Sequence, residues 1–153
     1  MNTNFLIARS ADELEALLPD YFVARIDGAQ AQTLRHFYEQ IAQVLDFPDY
    51  FGYNLDSLDE LLNDLDWIED ERIVLYVENA DLFVSKERDP NKLSTLLNLL
   101  DATAEDWKWL DDTDDVAPKT LRIAFDDTSR IRERLDREEI AYTVMPDEGA
   151  AAA

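Results

Sequence analysis

Arg72-Ile-Val-Leu-Tyr-Val77 is a continuous β-favouring apolar run. A strand with one wet face alternates apolar and polar residues. An unbroken run belongs to a strand covered on both faces, the habit of parallel sheets. Parallel strands need long crossover connections, which helices usually supply. This segment therefore predicts an α/β domain with a mainly parallel sheet and right-handed crossovers.

The flanking sequence fits that plan. Tyr21-Phe-Val-Ala-Arg-Ile26 reads as a strand closed by the turn dipeptide Asp27-Gly28. From Ala31 to Leu45, the residues Leu34, Phe37, Tyr38, Ile41, Val44 and Leu45 recur at three- and four-residue steps. That period predicts an amphipathic helix, with Pro48 just beyond it. A second helix is expected from about Asn54 to Leu65, with Leu55, Leu58, Leu62 and Leu65 on one stripe. Asp89-Pro90 opens a helix expected to run from Asn91 to about Ala104. Thr120-Leu-Arg-Ile-Ala-Phe125 reads as another strand, followed by a helix capped by Thr128 or Ser129 and reaching Glu138.

The ends are less regular. Phe5-Leu-Ile-Ala8 and Ile140-Ala-Tyr-Thr-Val-Met145 have strand composition, and Ser10 with Glu13 forms a capping box for a helix from Ala11 to Leu18. Between Glu105 and Lys119 the periodicity fails. Asp111 to Asp115 reads as a solvated loop, with Trp107 and Trp109 expected to anchor its start. Gly149 and the alanines after it read as a frayed tail.

Composition removes several functions. There is no cysteine and one histidine, so disulfides are excluded and a zinc site is not expected. His36 stands beside Phe37 and Tyr38 on a helix and reads as a packed or surface histidine rather than a base. The three glycines are isolated and form no phosphate loop. The N-terminus lacks the basic start and apolar run of a signal peptide, and no apolar segment is long enough to cross a bilayer. The expected location is the cytoplasm. A net charge of -21 repels nucleic acid and anionic membranes and attracts basic proteins. No catalytic residue, metal or cofactor is expected, and direct nucleic-acid binding lacks its basic stripe.

The acidity is uneven. From His36 to Glu71 there is no Lys and no Arg, yet the same stretch holds eleven carboxylates, too many to leave without a source of positive charge. Asp56, Asp59, Glu60 and Asn63 cluster on a helical wheel opposite the leucine stripe. Like charges four residues apart destabilise a helix mildly. Asn54 as N-cap, and the helix dipole, account for Asp56. They account less well for Asp59 and Glu60, because the dipole effect fades after the first turn. Before the helix, Phe47-Pro48 stiffens the entry, and Gly52 is expected to supply an unusual backbone angle. Tyr50, Phe51 and Tyr53 crowd there, and Tyr50 is the one expected to be exposed. An exposed tyrosine beside carboxylates is a common composition for a protein-binding hot spot.

The segment Pro48-Asp-Tyr-Phe-Gly-Tyr-Asn-Leu-Asp-Ser-Leu-Asp-Glu60 resembles the signature of the barstar family of ribonuclease inhibitors. Its setting is similar too, with Ile26-Asp-Gly28 and an amphipathic helix before it and Val77-Glu-Asn-Ala-Asp81 after it. The resemblance runs from about Tyr21 to Phe125. It implies a small three-layer α/β fold with a three-stranded parallel sheet, extended if the terminal strands join it, flanked by helices. Residues 1–20 are then an N-terminal extension, 21–146 the barstar-like domain and 147–153 a disordered tail. It also implies inhibition of a ribonuclease by plugging its phosphate-binding active site with the helix and the loop before it.

Matched position by position, Tyr50, Asp56 and Glu60 fall on partner contacts of the family. Asp59 and Asn63 complete the expected partner-binding set, and Pro48, Gly52 and Asn54 form the structural motif. Glu60 stands where the founding member has its principal aspartate. Asp59 replaces a tryptophan, and Tyr53 replaces an acidic residue. The implied partner is a basic ribonuclease or another secreted toxin, bound by a monomer as a 1:1 heterodimer. Two alternatives remain: an immunity protein against a toxin of other chemistry such as a deoxyribonuclease, or an acidic nucleic-acid mimic that binds a regulator.

Overall fold

The computed structural model describes residues 3–109 and 118–145. Within them the chain forms β1 (Phe5–Ala8), α1 (Ala11–Leu17), β2 (Phe22–Asp27), a 3-10 turn (Gly28–Gln30), α2 (Leu34–Val44), α3 (Leu55–Leu62), β3 (Arg72–Glu78), α4 (Asn91–Lys108), β4 (Thr120–Asp126), α5 (Ser129–Arg137) and β5 (Tyr142–Val144). Side-chain caps fix several starts. Ser10, Thr33, Asn54 and Thr128 each accept a hydrogen bond from the backbone N–H three residues on. Thr33 explains why α2 begins at Leu34 rather than Ala31. Before α4, Asp89 Oδ1 accepts from Asn91 N at 2.9 Å.

The expected three-stranded sheet is instead five-stranded and wholly parallel, in the order β2-β3-β4-β1-β5. Residues 21–126 hold the three strands the resemblance implied. The other two come from the terminal segments. β1 inserts between β4 and β5, with Phe5 opposite both Ile123 and Tyr142. The N-terminal segment is thus built into the sheet. Arg122 Nε, in a guanidine-bearing side chain buried in β4, donates to Thr3 O at 3.0 Å, holding that segment down.

The order explains the layering. From β1 the chain crosses β4 and β3 to reach the β2 edge, then returns through β3 and β4 and passes β1 to reach β5. With right-handed crossovers, a reversal of direction puts the connecting helices on opposite faces. Leu14 of α1 accordingly packs on Leu6, Val74, Tyr76 and Ala124. The other helices pack on the opposite face, over Phe5, Ile7, Ile26, Ile73, Leu75, Val77, Ile123 and Phe125. β3 is buried on both faces, as its composition requires.

Two helices end differently from the sequence expectation. α3 stops at Leu62, where Asn63 caps it and Leu65 turns to a positive φ of 54°. α4 continues to Lys108 because Thr103, Ala104 and Trp107 extend its buried face. The Trp107 indole N–H donates to Leu62 O at 2.8 Å, pinning the end of α3 to the end of α4. Trp109, expected to anchor the start of the following loop, is 80% exposed. The rest of that loop, Asp111 to Asp115, and the tail from Gly149 lie outside the described residues.

Candidate protein-docking site

α2 ends in a Schellman turn. Asp46 takes a φ of 52°, Asp46 N donates to Gln43 O at 3.3 Å, and Phe47 N donates to Ala42 O at 2.8 Å. This directs Phe47 into an aromatic cluster. Its ring meets Phe51 edge-on at 4.9 Å and Trp67 at 5.8 Å, and Tyr38 meets Phe51 at 6.1 Å. The Trp67 indole N–H donates to Leu45 O at 2.8 Å. The loop is therefore clamped from beneath by edge-to-face aromatic contacts.

Above that clamp, three polar groups close a ring around the helix start. Asn54 Oδ1 accepts from Ser57 N at 2.8 Å, Ser57 Oγ accepts from Gly52 N at 2.8 Å, and Asn54 Nδ2 donates to Gly52 O at 3.1 Å. Gly52 does not have a positive φ; Tyr53 does, at 52°. Glycine serves here through its size. A Cβ at Gly52 would lie 3.0 Å from Asn54 Nδ2 and 3.4 Å from Ser57 Cβ, inside the capping ring. With Gly52 fixed by that ring, the reversal of direction falls on Tyr53.

α3 rests on Leu58, Leu61 and Leu62, all buried. Asp56, Asp59, Glu60 and Asn63 point outward and are exposed, and Tyr50 is 69% exposed. Asp56 and Glu60 share a helix face. Asn63 Nδ2 donates to Asp59 Oδ1 at 3.0 Å and Asp59 O at 2.8 Å, so these two side chains are tied together at the helix end. Pro48 is half-buried and its carbonyl accepts from Phe51 N at 3.1 Å. Among the described residues, no ion pair reaches Asp56, Asp59 or Glu60. Just beyond α3, burial and the neighbouring Asp66 carboxylate hold Asp64 above the usual carboxylate range. The nearby lysine, Lys119, donates to the carbonyls of Ile68 and Asp70.

The arrangement offers rigidly mounted, unneutralised oxygen acceptors beside an exposed aromatic ring. It suits reception of guanidinium and ammonium groups. Among the described residues, no group of three or more His, Asp or Glu side chains could hold a metal ion. Sequence reasoning missed two exposed aromatics. Tyr53 is 53% exposed alongside Tyr50, with Phe51 buried between them. Trp109 lies two residues after buried Trp107, about 200° around a helix, a spacing that predicts opposite faces.

The sequence profile of a family described as Barstar (barnase inhibitor) matches residues 21–126. No curated protein matches the chain. Among solved structures, the Aeropyrum pernix ORC2 protein in its ADPNP–ADP complexes is 17% identical, with a TM-score of 0.53 over 94% of this chain and 41% of that one. Its ADP form is 17% identical, with a TM-score of 0.51 over 93% of this chain and 41% of that one. This chain thus spans less than half of either structure. At that identity the likeness concerns the fold alone.

Proposed function

Because this chain belongs to the barstar (barnase inhibitor) family, we propose that it inhibits a cognate ribonuclease by setting α3 and the Tyr50 loop into the enzyme's phosphate-binding cleft. The supporting observation is the outward face of α3, where Asp56 and Glu60 stand exposed with no cation paired to them among the described residues. A ribonuclease holds its RNA backbone with Arg, Lys and His. A carboxylate on a stiff helix occupies the place of a phosphate and accepts the same charge-assisted bonds. The capping ring and aromatic clamp hold those carboxylates in place before the encounter, which lowers the ordering cost of association.

Uncompensated negative charge also steers a basic partner inward, and speed protects the producer's RNA. The family's founding pair is itself the reference case for such steering and for carboxylate hot spots. The proposed assembly is a 1:1 heterodimer in the cytoplasm, with the chain acting as an inhibitor and not as an enzyme.

The test is titration of Glu60→Ala and Asp56→Ala against a barnase-class ribonuclease, read by cleavage of labelled RNA. Both variants keep the wild-type urea midpoint, and at least one loses a few kcal/mol of inhibitory affinity, in the ~2–4 kcal/mol range of hot-spot truncations. Unchanged inhibition by both variants removes α3 from the site.

A further inference from the structure

Tyr53 is held at a φ of 52°. In that left-handed region a bulky aromatic residue is strained. Glycine or asparagine meets the same backbone demand more easily. The ring lies 4.7 Å from Phe51, yet the residue remains 53% exposed. Core packing alone does not account for keeping a tyrosine there. The ring forms one wall of an open cavity of about 560 Å³, which among the described residues is otherwise lined by Arg35 and Glu39 of α2.

Those α2 side chains are weakly held. Arg35 Nε lies 3.9 Å from Glu39 Oε1, with the two side chains 87% and 55% exposed. An exposed pair at that separation contributes little. Neither side chain makes a hydrogen bond among the described residues. The cavity therefore combines an accessible aromatic face with a carboxylate whose internal partner is easily displaced. It adjoins a stretch without a lysine or arginine from His36 to Glu71.

We propose that the cavity between Tyr53 and Glu39 is a second subsite of the docking surface and receives an arginine side chain of the basic partner. The guanidinium plane lies over the Tyr53 ring, where the ring's negative face attracts it. Its fork of N–H donors meets the Glu39 carboxylate in a bidentate pair, which an ammonium cannot make. Arg35 swings into water as the partner enters. It is a like charge at the mouth, and its removal favours the incoming cation. The subsite is on α2, apart from the α3 face, but its natural occupant rests on the ribonuclease reading above.

The experiment has two arms on the full chain. In the first, the ¹⁵N-labelled protein is titrated with Nα-acetyl-arginine amide, which needs no ribonuclease. Saturable shifts are expected at Tyr53 and Glu39, weaker in Glu39→Gln and Tyr53→Leu, stronger in Arg35→Gln, and smaller with the lysine analogue. Shifts spread over the acidic surface, or unaltered in the variants, overturn the subsite. In the second arm, inhibition of a barnase-class ribonuclease is measured. Glu39→Gln and Tyr53→Leu each weaken it about 3- to 30-fold, and Arg35→Gln tightens it, all with the urea midpoint retained. If Glu60→Ala weakens inhibition while the α2 and Tyr53 variants do not, the subsite fails and the inhibitor reading stands. If the arginine probe titrates specifically and no ribonuclease is inhibited, the subsite stands and that reading fails.

Discussion

Replacing Asn54 by alanine tests whether the docking loop and α3 are held as one unit. The substitution removes two bonds of the capping ring, the 2.8 Å bond from Ser57 N and the 3.1 Å bond to Gly52 O. Loss of an asparagine N-cap costs about 1 kcal/mol. Loss of the second, exposed hydrogen bond costs roughly 0.5–1 kcal/mol more. The sum is about 2 kcal/mol, or a fall of roughly 4–8 °C in Tm for a domain of this size. Ser57→Ala removes only the bond from Gly52 N, and about 1 kcal/mol is expected. Because both side chains close the same ring, the double variant should lose less than the sum, with a coupling of at least ~0.5 kcal/mol. Urea denaturation with unchanged m-values gives all four corners of the cycle. Strict additivity, or an Asn54→Ala variant as stable as wild type, refutes the ring as a cooperative unit.

Three further outcomes follow from the geometry. Gly28→Ala sets a Cβ 2.4 Å from Asn79 O and 2.7 Å from Glu78 O, both backbone atoms that cannot rotate away; a loss of about 3 kcal/mol in urea is expected, and a neutral variant would contradict the close approach. Stability should have a maximum in mildly acidic solution. Hydrogen bonds from Arg132 hold Asp127 below the usual carboxylate range, a contribution complete above the unfolded pKa and lost as pH falls through the lower folded value. Asp64 is raised by burial and by Asp66, so its penalty at neutral pH lifts as pH falls through its folded value. The urea midpoint should therefore rise as pH falls from neutral into the ordinary carboxylate range and drop below it, under about 4; a steady decline from pH 7 contradicts this balance. Association with a basic ribonuclease should slow at least ~10-fold between about 0.05 and 0.5 M salt, because the charged face lies open to screening; stopped-flow mixing with a flat salt dependence would exclude steering.

Local periodicity carried much of the fold. The leucines at 55, 58 and 62 put the acidic residues of α3 outward, and the apolar run of β3 demanded cover on both faces. The position of β1 between β4 and β5 was not legible, because pairing between residues more than a hundred positions apart leaves no local pattern. The same limit left open whether the terminal segments, themselves legible as strands, join the three-stranded sheet. Around the site, composition favoured Gly52 for the positive φ. In the fold the capping ring from Asn54 and Ser57 holds Gly52, where a Cβ would sit tightly against Asn54 Nδ2, and the positive φ falls on Tyr53. The aromatic crowding of the loop was readable, but which rings lay outside depended on the clamp formed by Tyr38, Phe47 and Trp67, residues distributed over three elements.

The proposed docking sets α3 into the phosphate-binding cleft of a ribonuclease. It is tested most directly by the apparent inhibition constant against a barnase-class enzyme as the RNA concentration is raised. If the α3 carboxylates take the place of substrate phosphates, that constant increases in proportion to RNA above its KM. A constant that stays level as RNA rises would mean that enzyme, substrate and this chain bind together, and the active-site account would be wrong.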